Sequence, residues 1–360
     1  MRVTVQELQE GCILEADIFS KTNRPIFAKK TVLTEALIEV LKAFMINEVE
    51  VEKTLVDGSR FSPSFISTGE YENEDKKEEI QLSFTDLFLK STLEYKKEFT
   101  SWQAGLPIDI SKIRRLMLPL LEKIDDNPFE VFNLHRFSTM DTYLFQHPVA
   151  VGLISGYIGK KLDLEKGEWL QLALSGCLAD CGMAKINPTI LNKKTSLTVR
   201  EYEEIKKHPV LSYKFVQNIA VLRKDAKVAI LQHHERLDGS GYPLKSTKIH
   251  QYARIIAIAD SFHAMTSERL YRNKQSPFKA LEMILEDSFG KFDLPIVSSI
   301  CSTIIHFSPG DKVKLSNGHV AEVLFADQKA PTRPLIKIES TGEILQLERN
   351  RQLYIDEILC

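Results

Sequence analysis

No apolar run in these 360 residues is long enough to cross a bilayer. The opening MRVTVQELQEGC lacks the apolar stretch of a secretory signal. Cysteine is scarce and odd in number, five scattered residues, which argues against a disulfide framework and fits reduced thiols. A dominant sign of charge is missing as well. The 47 Lys and Arg against 49 Asp and Glu leave a formal net charge of −2, so no global basic field favours nucleic acid or an anionic membrane. What is present is ordinary: 43% hydrophobic and 27% charged residues, enough for a core of normal size. The length favours two or more domains. The expectation is a soluble cytoplasmic protein whose partner is a small ligand or another protein.

Along the chain the style of patterning changes. Residues 1–55 hold a strand-like RVTV, a helical TEALIEVLKAFMI capped by Thr34, and an alternating EVEVE, which together predict a small α/β module. This module carries no visible chemistry and is expected to serve as a packing or dimerisation partner. Residues 56–80 are polar, bear Gly, Ser and Pro and end in the charged run ENEDKKEE, the composition of a flexible linker. Residues 81–124 read as connecting helices, SKIRRLMLPLLEKI among them. Helical periodicity continues over 125–305. Thr198 followed by Glu201 predicts a capping box, and PFKALEMILED predicts a helix with Pro at its start. From 306 to 360 alternating runs joined by Ser-Asn-Gly, with a further turn at Thr341-Gly342, predict a small β unit of four or five strands. That unit mixes both signs of charge and has no aromatic stacking platform, so nucleic acid is not expected as a partner.

Imidazoles and carboxylates are the ligands of metal centres at neutral pH. The helical region spreads them out: His147 in LFQHPVAV, Asp180 in CLADCGM, His208 in KKHPV, His233 and His234 opening HHERLDGSGYP, and Asp260 in the apolar IIAIADSF. Each alone is compatible with a helix cap, a surface residue or a paired core carboxylate. Adjacent helical residues point about 100° apart, so His233 and His234 can serve two metals or two ends of one site. Gly239 and Gly241 shape the turn that follows.

HHERLDGSGYP resembles the signature of the HD-GYP family: His-His-Glu, two variable positions, then Asp-Gly-x-Gly-Tyr-Pro. The likeness extends over about 125–305, through the His-Pro at His208, the ARIIAIAD helix and the TSERLYR segment, and PGDKVKLSNG to RPLIKI is similar to a tail often fused to such domains. The resemblance implies a mainly α, HD-type helical domain between the α/β module and the β unit. It implies cyclic di-GMP as ligand, bacterial signal transduction, and phosphodiester hydrolysis with iron or manganese, one or two ions bound. It further implies that His147, Asp180 and Asp260 hold the first metal and His208, His233 and His234 the second, with Asp180 bridging and acting in catalysis. Tyr242, Arg269 and Arg272 match residues that hold the dinucleotide, and Arg suits phosphate through its two-donor fork.

The pattern also breaks. The family's His-Asp-x-Gly-Lys reads Ala179-Asp180-Cys181-Gly182-Met183 here. Ala179 ligates nothing, and Met183 cannot donate to phosphate as a lysine would. Lys185 lies two residues on, on another helical face. His263 stands three residues after Asp260, where the family usually has Asp. His263 either supplies the imidazole lost at 179 or is a histidine unrelated to metal. Cys177 and Cys181 flank Asp180 as soft ligands, a redox pair or small core residues. The expected function is therefore an HD-GYP-type cyclic di-GMP protein with catalysis weakened or lost, the alternative being an active phosphodiesterase with a compensated site.

Overall fold

The computed structural model describes residues 1–19, 25–63, 82–126, 128–268, 274–287, 290–305, 307–327 and 330–359. Most of the 56–80 stretch expected to be a linker lies outside them, and its first residues are instead tied to the N-terminal module, Val56 and Phe61 being buried with their amides donating to the carbonyls of Gly11 and Lys53.

At the N-terminus, β1 (Arg2–Thr4) pairs antiparallel with β4 (Glu48–Glu50), and β2 (Ile18–Phe19) with β3 (Pro25–Phe27). Between them α1 (Glu35–Ala43) starts at Thr34, whose side chain accepts from the Leu37 amide as a cap should. Val3, Leu14, Leu33, Leu41 and Val49 form the core, and Phe61 joins it. The module sits on the first long helix, α2 (Phe84–Gln103): Thr54 Oγ1 donates to Asp86 Oδ1 at 2.7 Å. Asp86 also closes a capping box with Ser83.

The helical body continues with α3 (Ile110–Glu122), α4 (Pro128–Phe132), α5 (Tyr143–Lys161), α6 (Lys166–Leu178), α7 (Pro188–Leu191), α8 (Val199–Ile205), α9 (His208–Val216), α10 (Lys224–Gln232), α11 (Gln251–Thr266), α12 (Pro277–Asp287) and α13 (Leu294–Ile304). The central element is α5, buried on every side from Gln146 to Gly159 and packed by α2, α3, α6 and α11. A helix apolar all round has to be interior. Helix α11 is its counterpart, with Ile255, Ile256, Ile258 and Phe262 buried around Asp260. Between α6 and α7 the chain tightens into a 3₁₀ turn, Cys181–Lys185. The predicted capping box at Thr198 and Glu201 is present, and with Lys193 it holds the Glu201 carboxyl down at about 2.

The C-terminal unit is a five-stranded antiparallel sheet in the order β8 (Ile344–Gln346), β7 (Leu335–Ile338), β6 (Val320–Phe325), β5 (Lys312–Leu315), β9 (Ile355–Leu359). The predicted hairpin joins β5 to β6 with Lys312 opposite Glu322, and alternation sends Val313 and Leu315 inward. The unit docks on α12 through a buried ion pair between Arg333 and Glu282. Arg333 donates as well to the carbonyls of Leu347 and Leu353, and Ser276 Oγ to that of Ile355. A buried charge is tolerated when its donors are used in this way. Among the described residues no helix is long and apolar enough to cross a membrane.

Candidate metal centre

Five elements bring the expected residues to one point. His147 comes from the second turn of α5, Asp180 from the second residue after α6, His208 from the start of α9, His233 and His234 from just past the end of α10, and Asp260 from the middle of α11. Their donor atoms fall into two groups, each within 4.8 Å: His147, Asp180 and Asp260, and Asp180, His208, His233 and His234. Asp180 belongs to both. Its Oδ1 lies 3.1 Å from His208 Nε2 and 3.4 Å from His233 Nε2, while Oδ2 lies 3.7 Å from His147 Nε2. Asp260 Oδ1 is 2.9 Å from His147 Nε2 and Oδ2 is 3.7 Å from His234 Nδ1.

The proton pattern of the second group tests whether a cation fits. Nδ1 of His208 lies 2.8 Å from the Ile205 carbonyl and Nδ1 of His233 lies 2.7 Å from that of Ile230. A carbonyl only accepts, so both Nδ1 atoms carry hydrogen, and in the neutral tautomer this selects each ring turns a lone pair on Nε2 inward. Those Nε2 atoms stand 3.2 Å apart, facing each other and Asp180 Oδ1. Oδ1 is itself buried and makes no hydrogen bond among the described residues. Three acceptors converging without a donor are satisfied by a cation, and backbone carbonyls behind ligand imidazoles are the usual way of aiming them.

The carboxylates call for the same positive charge. Burial pushes Asp180 up, and it is held well below the carboxylate range when His208, His233 and His147 turn charge or N–H donors to it, the part a cation takes when their lone pairs face inward. Asp260 is likewise held down, against burial, by His147 and His234. Burial, then the neighbouring His233, pushes His234 well below the imidazole range, so it is neutral and able to ligate. By contrast burial pushes Cys177 and Cys181 up, Cys181 to about 12, and among the described residues neither belongs to a metal-capable group, as befits small core residues.

The departures from the motif are equally visible. Ala179 is buried at the end of α6 and offers no donor. Met183 lines the cleft. Lys185 is turned away, donating from Nζ to the Trp102 carbonyl at 3.1 Å. His263 also lies outside both ligand groups, with its Nδ1 3.0 Å from Nδ1 of His147, on the far side of that ring from the carboxylates. Arg269 and Arg272 lie outside the described residues.

The centre opens into a cleft of about 1220 Å³. Tyr242 lies over His234 with ring centroids 4.7 Å apart. The loop that carries it folds back on the motif: Glu235 accepts from the Ser246 amide at 3.0 Å, and Gly241 passes so close that a Cβ there would sit 2.4 Å from Glu235 Cα. Sequence reasoning overlooked three residues here. Tyr143, one turn before His147, stacks on it at 4.9 Å. Glu235 fixes the loop, and its place in the motif was a usable signal. Arg236, in a variable position, lines the cleft with NH1 bound to the Glu235 carbonyl at 2.8 Å and its guanidinium over Phe292.

Residues 125–296 match the HD domain family. A cyclic di-GMP phosphodiesterase of Pseudomonas aeruginosa, PA4108, is 27% identical over 67% of this chain and 58% of its own. A cyclic di-GMP phosphodiesterase of Thermotoga maritima is 35% identical over 47% of this chain and 46% of its own. The chain thus spans about half the length of these curated relatives. Among solved structures, Bd1817, an HDG"Y"P protein of Bdellovibrio bacteriovorus, superposes with a TM-score of 0.51 at 14% identity, covering 83% of this chain and 97% of that one, a likeness of fold.

Proposed function

We propose that this chain, whose residues 125–296 match the HD domain family, is a metal-dependent phosphodiesterase acting on cyclic di-GMP. The observation that carries the reading is the pair of ligand groups sharing the Asp180 carboxylate, open to a cleft large enough for a dinucleotide. The cleft wall adds Lys206, Lys207, Arg236, Lys245 and Lys291, cations suited to a ligand with two phosphodiesters. The names of the two relatives supply the particular nucleotide.

Divalent cations held by these groups, iron or manganese by the resemblance, would acidify a water and offset phosphate charge. The protein's part is positional. Asp180 and Asp260 provide the negative charge, held below the carboxylate range by positive charge or N–H donors of their imidazole neighbours or, in their place, by the cations. The carbonyls of Ile205 and Ile230 keep His208 and His233 aimed inward. Arg236 is anchored through NH1 and faces the cleft, where it can hold a phosphate oxygen. Tyr242 presents its ring beside His234 to the ligand. Arg269 and Arg272 belong to this proposal through the motif alone.

Met183 places a thioether where a lysine would meet the phosphate, and Ala179 removes a donor from the first group. Turnover is therefore slower than in a centre with both. These two residues also favour a second reading, a receptor that binds the dinucleotide without cleaving it. The test is a hydrolysis assay with Mn(II), run beside a titration of cyclic di-GMP binding. Product that disappears in Asp260→Ala supports the enzyme. Binding without product supports the receptor, and absence of both refutes the two readings.

A further inference from the structure

We propose that His263 is a positioning residue that sets the tautomer and aim of His147, and through it the affinity of the cation position formed by His147, Asp180 and Asp260. This rests on the metal reading given above. The two rings are buried and come from different helices, α5 and α11. Their Nδ1 atoms are 3.0 Å apart. Ser267 Oγ lies 3.2 Å from the same nitrogen of His263. Tyr143 stacks along both rings, at 4.9 Å from His147 and 6.3 Å from His263.

Two neutral imidazole nitrogens at that distance share one proton: one donates, and the other accepts. Two arrangements are self-consistent. In the first, Nδ1 of His263 holds the proton. His147 then accepts at Nδ1 and carries its own hydrogen on Nε2, aimed at Asp260 Oδ1 2.9 Å away. That ring has no lone pair for a cation. In the second, Nδ1 of His147 holds the proton and donates it to His263. Nε2 of His147 is then a lone pair directed at the two carboxylates, and His263 carries its hydrogen on Nε2. Both arrangements keep two protons on the two rings, so changing between them moves protons without net release.

A cation at Nε2 requires the second arrangement, and that in turn requires an acceptor behind Nδ1. His263 is that acceptor. Its place three residues after Asp260 turns it toward α5 on the same side of α11, so one helix supplies both a ligand and the group that aims its neighbour.

The test compares His263→Leu, which fills the space without accepting, with His263→Asn, whose amide oxygen falls near the position of Nδ1. Mn(II) is titrated into the full chain by calorimetry, with thermal unfolding alongside. The expected result is a loss of about 10–100-fold in affinity at one Mn(II) position in His263→Leu. His263→Asn should stay close to wild type. The position built on His208 and His233 should be unchanged in both, and so reports that each variant is folded. Wild-type affinity in His263→Leu, or equal losses in both variants, overturns this inference alone. A wild type that takes up no Mn(II) overturns the metal reading and this inference with it.

Discussion

Gly182→Ala should loosen the centre without touching a donor atom. A Cβ built at Gly182 lies 2.3 Å from the His208 carbonyl oxygen, 2.5 Å from the Ser212 amide nitrogen and 2.7 Å from Ser212 Oγ, where ordinary contact starts at 3.4 Å. Two of these atoms are backbone of α9, and Ser212 Oγ already accepts from the Gly182 amide at 2.8 Å. No flexible tip can swing aside, so α9 or the 3₁₀ turn must retreat by about 1 Å, a displacement well-packed interiors resist. Helix α9 carries His208, whose Nε2 is 3.1 Å from Asp180 Oδ1. Two metal bonds of about 2.1 Å at a right angle span about 3 Å; stretched to about 4 Å, the same bonds approach a straight line.

The expected cost in stability is that of overpacking, about 1–3 kcal/mol. At roughly 2–4 °C per kcal/mol for a body of this size, this is a fall in Tm of several degrees. Affinity at the His208 position should drop by about 10–100-fold, the loss seen when support behind a ligand is removed. Calorimetric titration with Mn(II) and thermal unfolding by circular dichroism measure the two effects. If Tm falls while both Mn(II) affinities stay at the wild-type values, the strain is absorbed away from α9 and the argument is refuted.

Met183→Lys returns a cation to the cleft wall beside the centre. On the activity proposed above, it should raise the rate of cyclic di-GMP hydrolysis by one to two orders of magnitude, somewhat below the roughly 10²–10³ associated with a single oxyanion donor. An unchanged kcat would show that Arg236 or another cation already fills that role. His135 offers a pH test away from the centre. Burial pushes this imidazole down to about 3 from an ordinary 6.5, so the folded ring stays neutral while the unfolded one takes up a proton. Stability should be intact above pH 6.5 and fall by about 1.4 kcal/mol per unit as pH drops from there towards 3. His135→Leu should flatten urea-unfolding stability over that window, and parallel slopes in variant and wild type would refute the assignment.

The order of helices and strands was legible because its signals are local: a Thr cap before α1, a capping box before α8, Pro at the start of α12, Ser-Asn-Gly between β5 and β6. The centre was legible by residue type through HHERLDGSGYP, whose glycine at 241 passes against the backbone of residues 234–236. Two kinds of information were not. Which way a side chain faces across an interface depends on two helices at once. His263 was therefore readable as near Asp260 but not as lying behind His147, and Lys185 was not readable as bound to the Trp102 carbonyl. The role of α2 was hidden too. It lies outside the matched domain, yet its Trp102 carbonyl anchors Lys185 at the end of the turn that begins beside Asp180.

The missing donor at Ala179 has a consequence for the order of metal uptake. The group around His147 has two carboxylates and one imidazole, whereas the group around His208 has one carboxylate and three imidazoles. Asp180 counts in both, so the difference rests on Asp260 and His147 against His208, His233 and His234. In the second group both Nε2 lone pairs are set by backbone carbonyls, a fixed arrangement that costs nothing further on binding. In the first, the Nε2 lone pair of His147 depends on which nitrogen of the His147–His263 pair holds the proton, and Asp260 Oδ1 competes for that same Nε2 at 2.9 Å. Fewer donors and an internal competitor both weaken the first position. Mn(II) should therefore bind in two steps, the tight one at His208, His233 and His234 and the weaker one at His147 and Asp260. Asp260→Ala should abolish the weak step and leave the tight one, and His208→Ala should do the reverse. Equal affinities at the two positions, or loss of the tight step in Asp260→Ala, would show that the shared carboxylate couples them too strongly for donor number to decide the order.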